Sequence, residues 1–220
     1  GSVNIFLGRP RADTLVHWVD GGAYPRFDQA CVAEFPKTGP LMPAMTRCGH
    51  VAVSGMTRYR STEFGPEYRD NVFTTLFNTH KVARSVVTRD GATFRTTEHE
   101  FLVSDDPDFH PTDVLEDADG SLLVAELATG RLLRVSGEQG EQREAVVVAL
   151  AGPAGMAFNA DRSTLFVTTA GGSVWAVNPA DWSKRRVRDG LAMPEGISVS
   201  AAGKLLVMEV GKQRLLEIDP

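Results

Sequence analysis

The chain has 220 residues with 23 Lys+Arg against 28 Asp+Glu, a net charge of −5, so no basic surface is available for phosphate neutralisation and a nucleic-acid or anionic-membrane partner is not expected. A hydrophobic content of 42% with 23% charged residues suits a packed core and excludes wholesale disorder. The longest apolar stretch, 145–151, is too short to span a bilayer, and no basic-then-apolar leader opens the chain, so a soluble protein is expected.

In chain order, residues 3–7 and 14–19 read as two strands, followed by a Pro-rich excursion over 24–43. Cys31 and Cys48 are the only cysteines. They offer neither a disulfide framework nor a CxxC knuckle, and two free thiols are preferred over a single bridge. From Ser54 a divergent unit runs through 71–77 and 81–87 to 100–103. The sequence then repeats. His110-Pro-Thr-Asp-Val, Gly152-Pro-Ala-Gly-Met and Met193-Pro-Glu-Gly-Ile share one frame, their prolines Pro111, Pro153 and Pro194 lying 42 and 41 residues apart. Each is followed by a polar turn, by Leu122-Leu-Val, Leu165-Phe-Val or Leu205-Leu-Val, and by a second alternating run.

Period-2 alternation broken by Gly, Asn and Asp turns marks successive antiparallel strands. A repeat of this length with about four strands per unit marks a β-propeller. The expected fold is all-β: residues 1–220 as a single propeller of about five four-stranded blades, or six if the excursion is structured. The last unit stops after its third strand, so the N-terminal strands are expected to complete it and close the ring; a strand-exchanged homodimer is the alternative to a closed monomer.

Propellers gather equivalent positions of the repeat around a central channel, so candidate site residues are sought by column. The residue after each repeat proline is Thr112, Ala154 or Glu195, with Ser54 in the same column of the earlier unit. Ser54, Thr112 and the adjacent Asp113 are expected to bind a small-molecule substrate. His110 precedes its proline by one and His50 lies four residues before Ser54. Were His50, His110 and Glu195 to converge, they would make a His₂Glu set with an open position for an activated water on Zn²⁺ or a similar ion, with His110 and Glu195 as the catalytic pair. The plain alternative is that His110 bonds a loop carbonyl and His50 sits on the surface. Glu126 and Glu209 each stand five residues before an arginine, Arg131 and Arg214, and this repeated spacing predicts a blade-stabilising ion pair. Asp117-Ala-Asp-Gly reads as a hairpin turn rather than a calcium loop, and Asp105, Asp106 and Asp108 as a solvated loop. His17, His80 and His99 have no partner that spacing identifies. No Gly-x-Ser-x-Gly elbow is present, which disfavours a serine hydrolase.

Residues 68–82, 90–95 and 101–124 resemble bacterial membrane-bound dehydrogenase propellers, themselves similar to quinoprotein sugar dehydrogenases, over about residues 8–124. Beyond Val124 the chain resembles gluconolactonase/SMP-30 and NHL-type blades. In gluconolactonase-like propellers the post-proline column supplies ligands to a divalent metal, Zn²⁺ or Ca²⁺, and Met193-Pro-Glu-Gly-Ile is similar to their Pro-Asp-Gly element; Ala154 departs from it. The resemblance implies a metal-assisted hydrolase of small esters, lactones or phosphotriesters. A dehydrogenase using pyrroloquinoline quinone (PQQ), in an exported or periplasmic setting, is the alternative, and a non-catalytic binding propeller the third reading.

Overall fold

The computed structural model describes residues 2–3, 12–24, 34, 36 and 39–220. Among the described residues it contains eighteen strands and four short 3₁₀ turns, and Glu34 is helical. No helix there is long and apolar enough to cross a membrane. Three consecutive four-stranded antiparallel sheets form the body. They are β4 (Val53–Arg58), β5 (Val72–Leu76), β6 (Lys81–Asp90) and β7 (Thr93–Val103); β8 (Pro111–Glu116), β9 (Leu122–Glu126), β10 (Arg131–Ser136) and β11 (Gln142–Val147); and β12 (Pro153–Phe158), β13 (Leu165–Thr169), β14 (Ser173–Val177) and β15 (Lys184–Arg188). A fourth sheet holds β16 (Pro194–Val199), β17 (Leu205–Glu209) and β18 (Arg214–Ile218). Each is a meander with its innermost strand first.

The second strands are largely buried and mostly apolar, with threonines or a glutamate toward their C-terminal ends, because both of their faces are covered. On β9, Leu122 and Val124 pack toward the first of these blades with Tyr59, Phe64 and Phe73. The alternate residues Leu123 and Ala125 pack toward the third, against Met156, Leu165 and Val167. On β13 the pattern continues, Phe166 meeting Leu205 and Val207 of the last sheet. A strand of period two therefore serves two interfaces, and the core is a series of layers between sheets.

Two expectations are corrected. Four consecutive blades are formed from β4 onward, the last with three strands, where five or six four-stranded blades were expected. The N-terminal strands do not complete the last blade: β1 (Ser2–Val3), β2 (Asp13–Leu15) and β3 (Thr46–Gly49) pair with one another in a separate sheet, and β18 pairs only with β17 among the described residues. Two hydrogen bonds hold that small sheet to the next blade: the Val51 and Ala52 amides donate to Asp13 Oδ2 at 3.0 and 2.8 Å. Most of the Pro-rich excursion, Cys31 included, lies outside the described residues.

The repeated ion pair forms. The buried Glu126 carboxylate accepts from Arg131 Nε at 2.7 Å, and the buried Glu209 carboxylate accepts from Arg214 Nε at 2.5 Å and from the Ala192 amide at 2.8 Å. These bonds, the Ala192 amide foremost, hold the Glu209 carboxyl down at about 2. Asp119 bonds the amide and hydroxyl of Ser121 within its hairpin, as the turn reading required, and Asp161 does the same for Ser163.

Candidate active site at the channel mouth

Each inner strand opens with a bulge: Val53 to Met56, Pro111 to Asp113, Pro153 to Met156, and Pro194 to Ile197. A bulge turns two successive residues toward one face, and here it aims the post-proline column at the axis. A cavity of about 530 Å³ lies there, with Ser54, Thr112, Ala154 and Glu195 on its wall, together with Asp113 and Phe77. All four residues of the repeat column thus converge.

The next column is glycine in three blades, at Gly55, Gly155 and Gly196, and close approach of the inner strands requires it at the first two. A Cβ on Gly155 would stand 2.4 Å from the Glu195 carbonyl oxygen, and one on Gly55 would stand 2.4 Å from the Cα of Asp113. In the second complete blade that column holds Asp113. Its Oδ1 accepts from the Val114 amide at 2.9 Å and its Oδ2 from the Met156 amide of the next blade at 2.8 Å. Burial outweighs those two bonds and lifts the carboxyl to about 7. Ionised, a carboxylate has about four lone-pair sites, so two remain for a ligand in the cavity. Thr112 donates to the Pro153 carbonyl at 2.8 Å, and the exposed Ser54 donates to the Ala52 carbonyl at 3.2 Å. Glu195 is exposed at the rim.

The two histidines do not join this wall. His110 lies behind Phe77, ring stacked on ring at a centroid distance of 4.4 Å, with Nδ1 donating to the Phe77 carbonyl at 3.2 Å. His50 is exposed in the segment after β3. No group of three His, Cys, Asp or Glu among the described residues is placed to hold a metal ion. The set His50, His110 and Glu195 is therefore not assembled, because the His110 ring is held on Phe77 and bonded to its carbonyl while His50 stands exposed after β3. The cavity wall itself offers, among the described residues, two carboxyl groups, Asp113 and Glu195, no imidazole or thiolate, and no ligand atom at Ala154, so no three-ligand set for Zn²⁺ or Ca²⁺ stands there. Nor do the described residues of the wall fit PQQ, whose three carboxylates need cationic partners: no lysine or arginine is among them. His99 lies exposed on the outermost strand β7. Cys48 is a free thiol pushed up to about 12 by burial, with Glu98 and Asp13 adding to the effect, so it stays protonated at neutral pH.

A family model for a domain of unknown function (DUF7133) matches residues 31–129. No curated protein matches the chain. Among solved structures, a chain of a nidogen/laminin complex is similar at 15% identity and TM-score 0.65, over 81% of this chain and 64% of that one. Virginiamycin B lyase from Staphylococcus aureus is similar at 17% identity and TM-score 0.58, over 84% of this chain and 61% of that one. A protein assigned as a gluconolactonase is similar at 12% identity and TM-score 0.51, over 77% and 79%. The chain spans less than two thirds of the first two. At these identities the likeness establishes a propeller fold with gluconolactonase-like neighbours. The dehydrogenase resemblance over residues 8–124 finds no support in these comparisons.

Proposed function

We propose that the cavity at the channel mouth binds a small neutral ester or lactone and hydrolyses it, with Asp113 as the group that takes the proton from the attacking water. The observation that carries this reading is a carboxyl on the cavity wall at a position where three sister blades have glycine. A base poised near the operating pH combines a useful ionised fraction with a useful proton affinity, and burial supplies that poise here. The exposed Ser54 hydroxyl would reach the substrate carbonyl only by giving up its bond to the Ala52 carbonyl. Among the described residues the wall carries two carboxyl groups, Asp113 and Glu195, and no cation. It therefore favours a neutral substrate and repels the carboxylate product, which assists release. Phosphotriesters share that neutrality and belong to the same test. The gluconolactonase-like neighbours agree with this substrate class without deciding it.

A non-catalytic binding propeller is the second reading, favoured by the two amides that already engage Asp113. A panel of neutral lactones, aryl esters and a phosphotriester, followed by acid release, separates the two. The hydrolase reading expects turnover that rises with pH through about 7 and is lost in Asp113→Gly. It also expects turnover to survive chelator treatment; loss of activity with chelator and recovery with Zn²⁺ or Ca²⁺ would return the reaction to a metal. Binding without turnover, or full turnover in Asp113→Gly, overturns the assignment of Asp113.

A further inference from the structure

Behind Phe77, the turn after β5 meets the segment that leads into β8. His80 adopts a left-handed backbone conformation (φ 54°, ψ 42°) that ends the short 3₁₀ turn Phe77–Thr79. This conformation swings its ring toward the neighbouring segment. His80 Nδ1 lies 2.8 Å from the Phe109 carbonyl oxygen, and His110 Nδ1 lies 3.2 Å from the Phe77 carbonyl oxygen. A carbonyl oxygen only accepts, so each Nδ1 carries a hydrogen. In the neutral rings both Nε2 atoms then hold a lone pair. The ring centroids are 4.9 Å apart with planes inclined by 45°, and both residues are half-buried.

That is the arrangement by which proteins prepare imidazoles for metal binding: a backbone carbonyl on one nitrogen fixes the tautomer and ring orientation and makes the other nitrogen a better donor. The ring separation suits it as well. An ion bonded to two imidazoles at about 2.0–2.1 Å stands roughly 3.2 Å from each ring centroid, and a bond angle of about 100° then puts the centroids roughly 5 Å apart. The geometry points to His80 and His110 as a two-histidine site for one divalent transition-metal ion, with the remaining positions left to water. Imidazole nitrogen selects Cu²⁺, Ni²⁺ and Zn²⁺ over Ca²⁺ and Mg²⁺, with Cu²⁺ the tightest. The site is distinct from the cavity, separated from it by the Phe77 ring. Because the two rings come from consecutive blades, a bound ion would cross-link them.

The test uses the whole chain with CuCl₂ and ZnCl₂ as probes. Titration is expected to show one tight equivalent, with an electron paramagnetic resonance signal of two equatorial imidazole nitrogens for Cu²⁺. His80→Gln and His110→Gln should each weaken binding at least about tenfold, whereas His99→Gln should not change it. At about a hundredfold excess over Kd, Zn²⁺ should raise Tm by roughly 5 °C in the wild type and leave either glutamine variant unmoved. Should the variants fail to fold, histidine side-chain NMR of the wild type decides. Both rings must show the Nδ1–H tautomer, and both must shift together on adding one equivalent of Zn²⁺. Unchanged affinity in a folded glutamine variant, or a response confined to one of the two rings or to His17, His50 or His99, overturns the site.

Discussion

At the bulge that opens each inner strand, the second and third complete blades satisfy the same kind of backbone groups by different means. In the third, the Gly155 amide donates to Thr168 Oγ1 at 2.9 Å, and that buried hydroxyl donates onward to the Glu195 carbonyl of the next sheet. The first complete blade repeats the device, the Gly55 amide donating to Thr75 Oγ1 at 2.6 Å. In the second, the threonine is replaced by Ala125 and the glycine by Asp113, whose carboxyl reaches across the joint to the Met156 amide. A neutral hydroxyl closes a joint without placing anything ionisable on the axis. The aspartate closes the same joint and leaves a half-buried acid facing the cavity, at the expense of a carboxyl raised to about 7. The difference teaches that the fold has a charge-free solution at this place and that the second blade departs from it.

Grafting the third blade's solution onto the second is the strongest way to break the comparison. The double variant Asp113→Gly with Ala125→Thr is expected to keep the propeller, by circular dichroism and cooperative melting, while ester or lactone turnover falls by about 10²–10⁴-fold, the usual contribution of a positioned base.

The pH dependence of stability sharpens the same point. The folded-state carboxyl of Asp113 lies at about 7, above its ordinary 3.8, so between these values the folded chain holds a proton that the unfolded chain has released. Stability from this group is complete below about pH 4 and is lost as pH rises through about 7, by something of the order of 2–4 kcal/mol. Urea denaturation at pH 5 to 8 should show that decline in the wild type and a flatter profile in the double variant.

A smaller effect is expected one position further along the second strands. Glu126 of the second blade pairs with Arg131, whereas Thr169 takes its place in the third and accepts from the Ser173 amide at 3.3 Å. Glu126→Ala leaves the Arg131 guanidinium and the Thr129 amide without their carboxylate. Because Arg131 is 32% exposed, water recovers part of the loss, and a destabilisation of about 2–3 kcal/mol is expected by chemical denaturation, below that of a fully buried pair. Thr168→Val, which strands the Gly155 amide and the Glu195 carbonyl, should cost about 1–2 kcal/mol. Ala125→Thr alone should change stability by less.

Much of this was legible in the sequence. The spacing of Pro111, Pro153 and Pro194 places Ser54, Thr112, Ala154 and Glu195 in one column, and a repeat that winds around an axis must bring such a column together. The spacing of Glu126 from Arg131 and of Glu209 from Arg214 likewise specifies a pairing across one hairpin, a local matter that register alone decides. The glycine column was legible too, and Asp113 as its exception marks the one cavity residue whose environment sequence could have flagged.

What the sequence determined by itself was therefore whatever depends on period and register: the strands, the turns, the mostly apolar second strands and the converging column. Tertiary structure alone decided the partner of His110, which is His80 rather than His50, because that contact rests on a left-handed turn at His80 and on the approach of segments 29 residues apart. It also decided the pairing of β1 to β3 with one another rather than with β18, and the poise of Asp113. A carboxyl's proton affinity is set by how much water its neighbours exclude, and those neighbours come from the next blade.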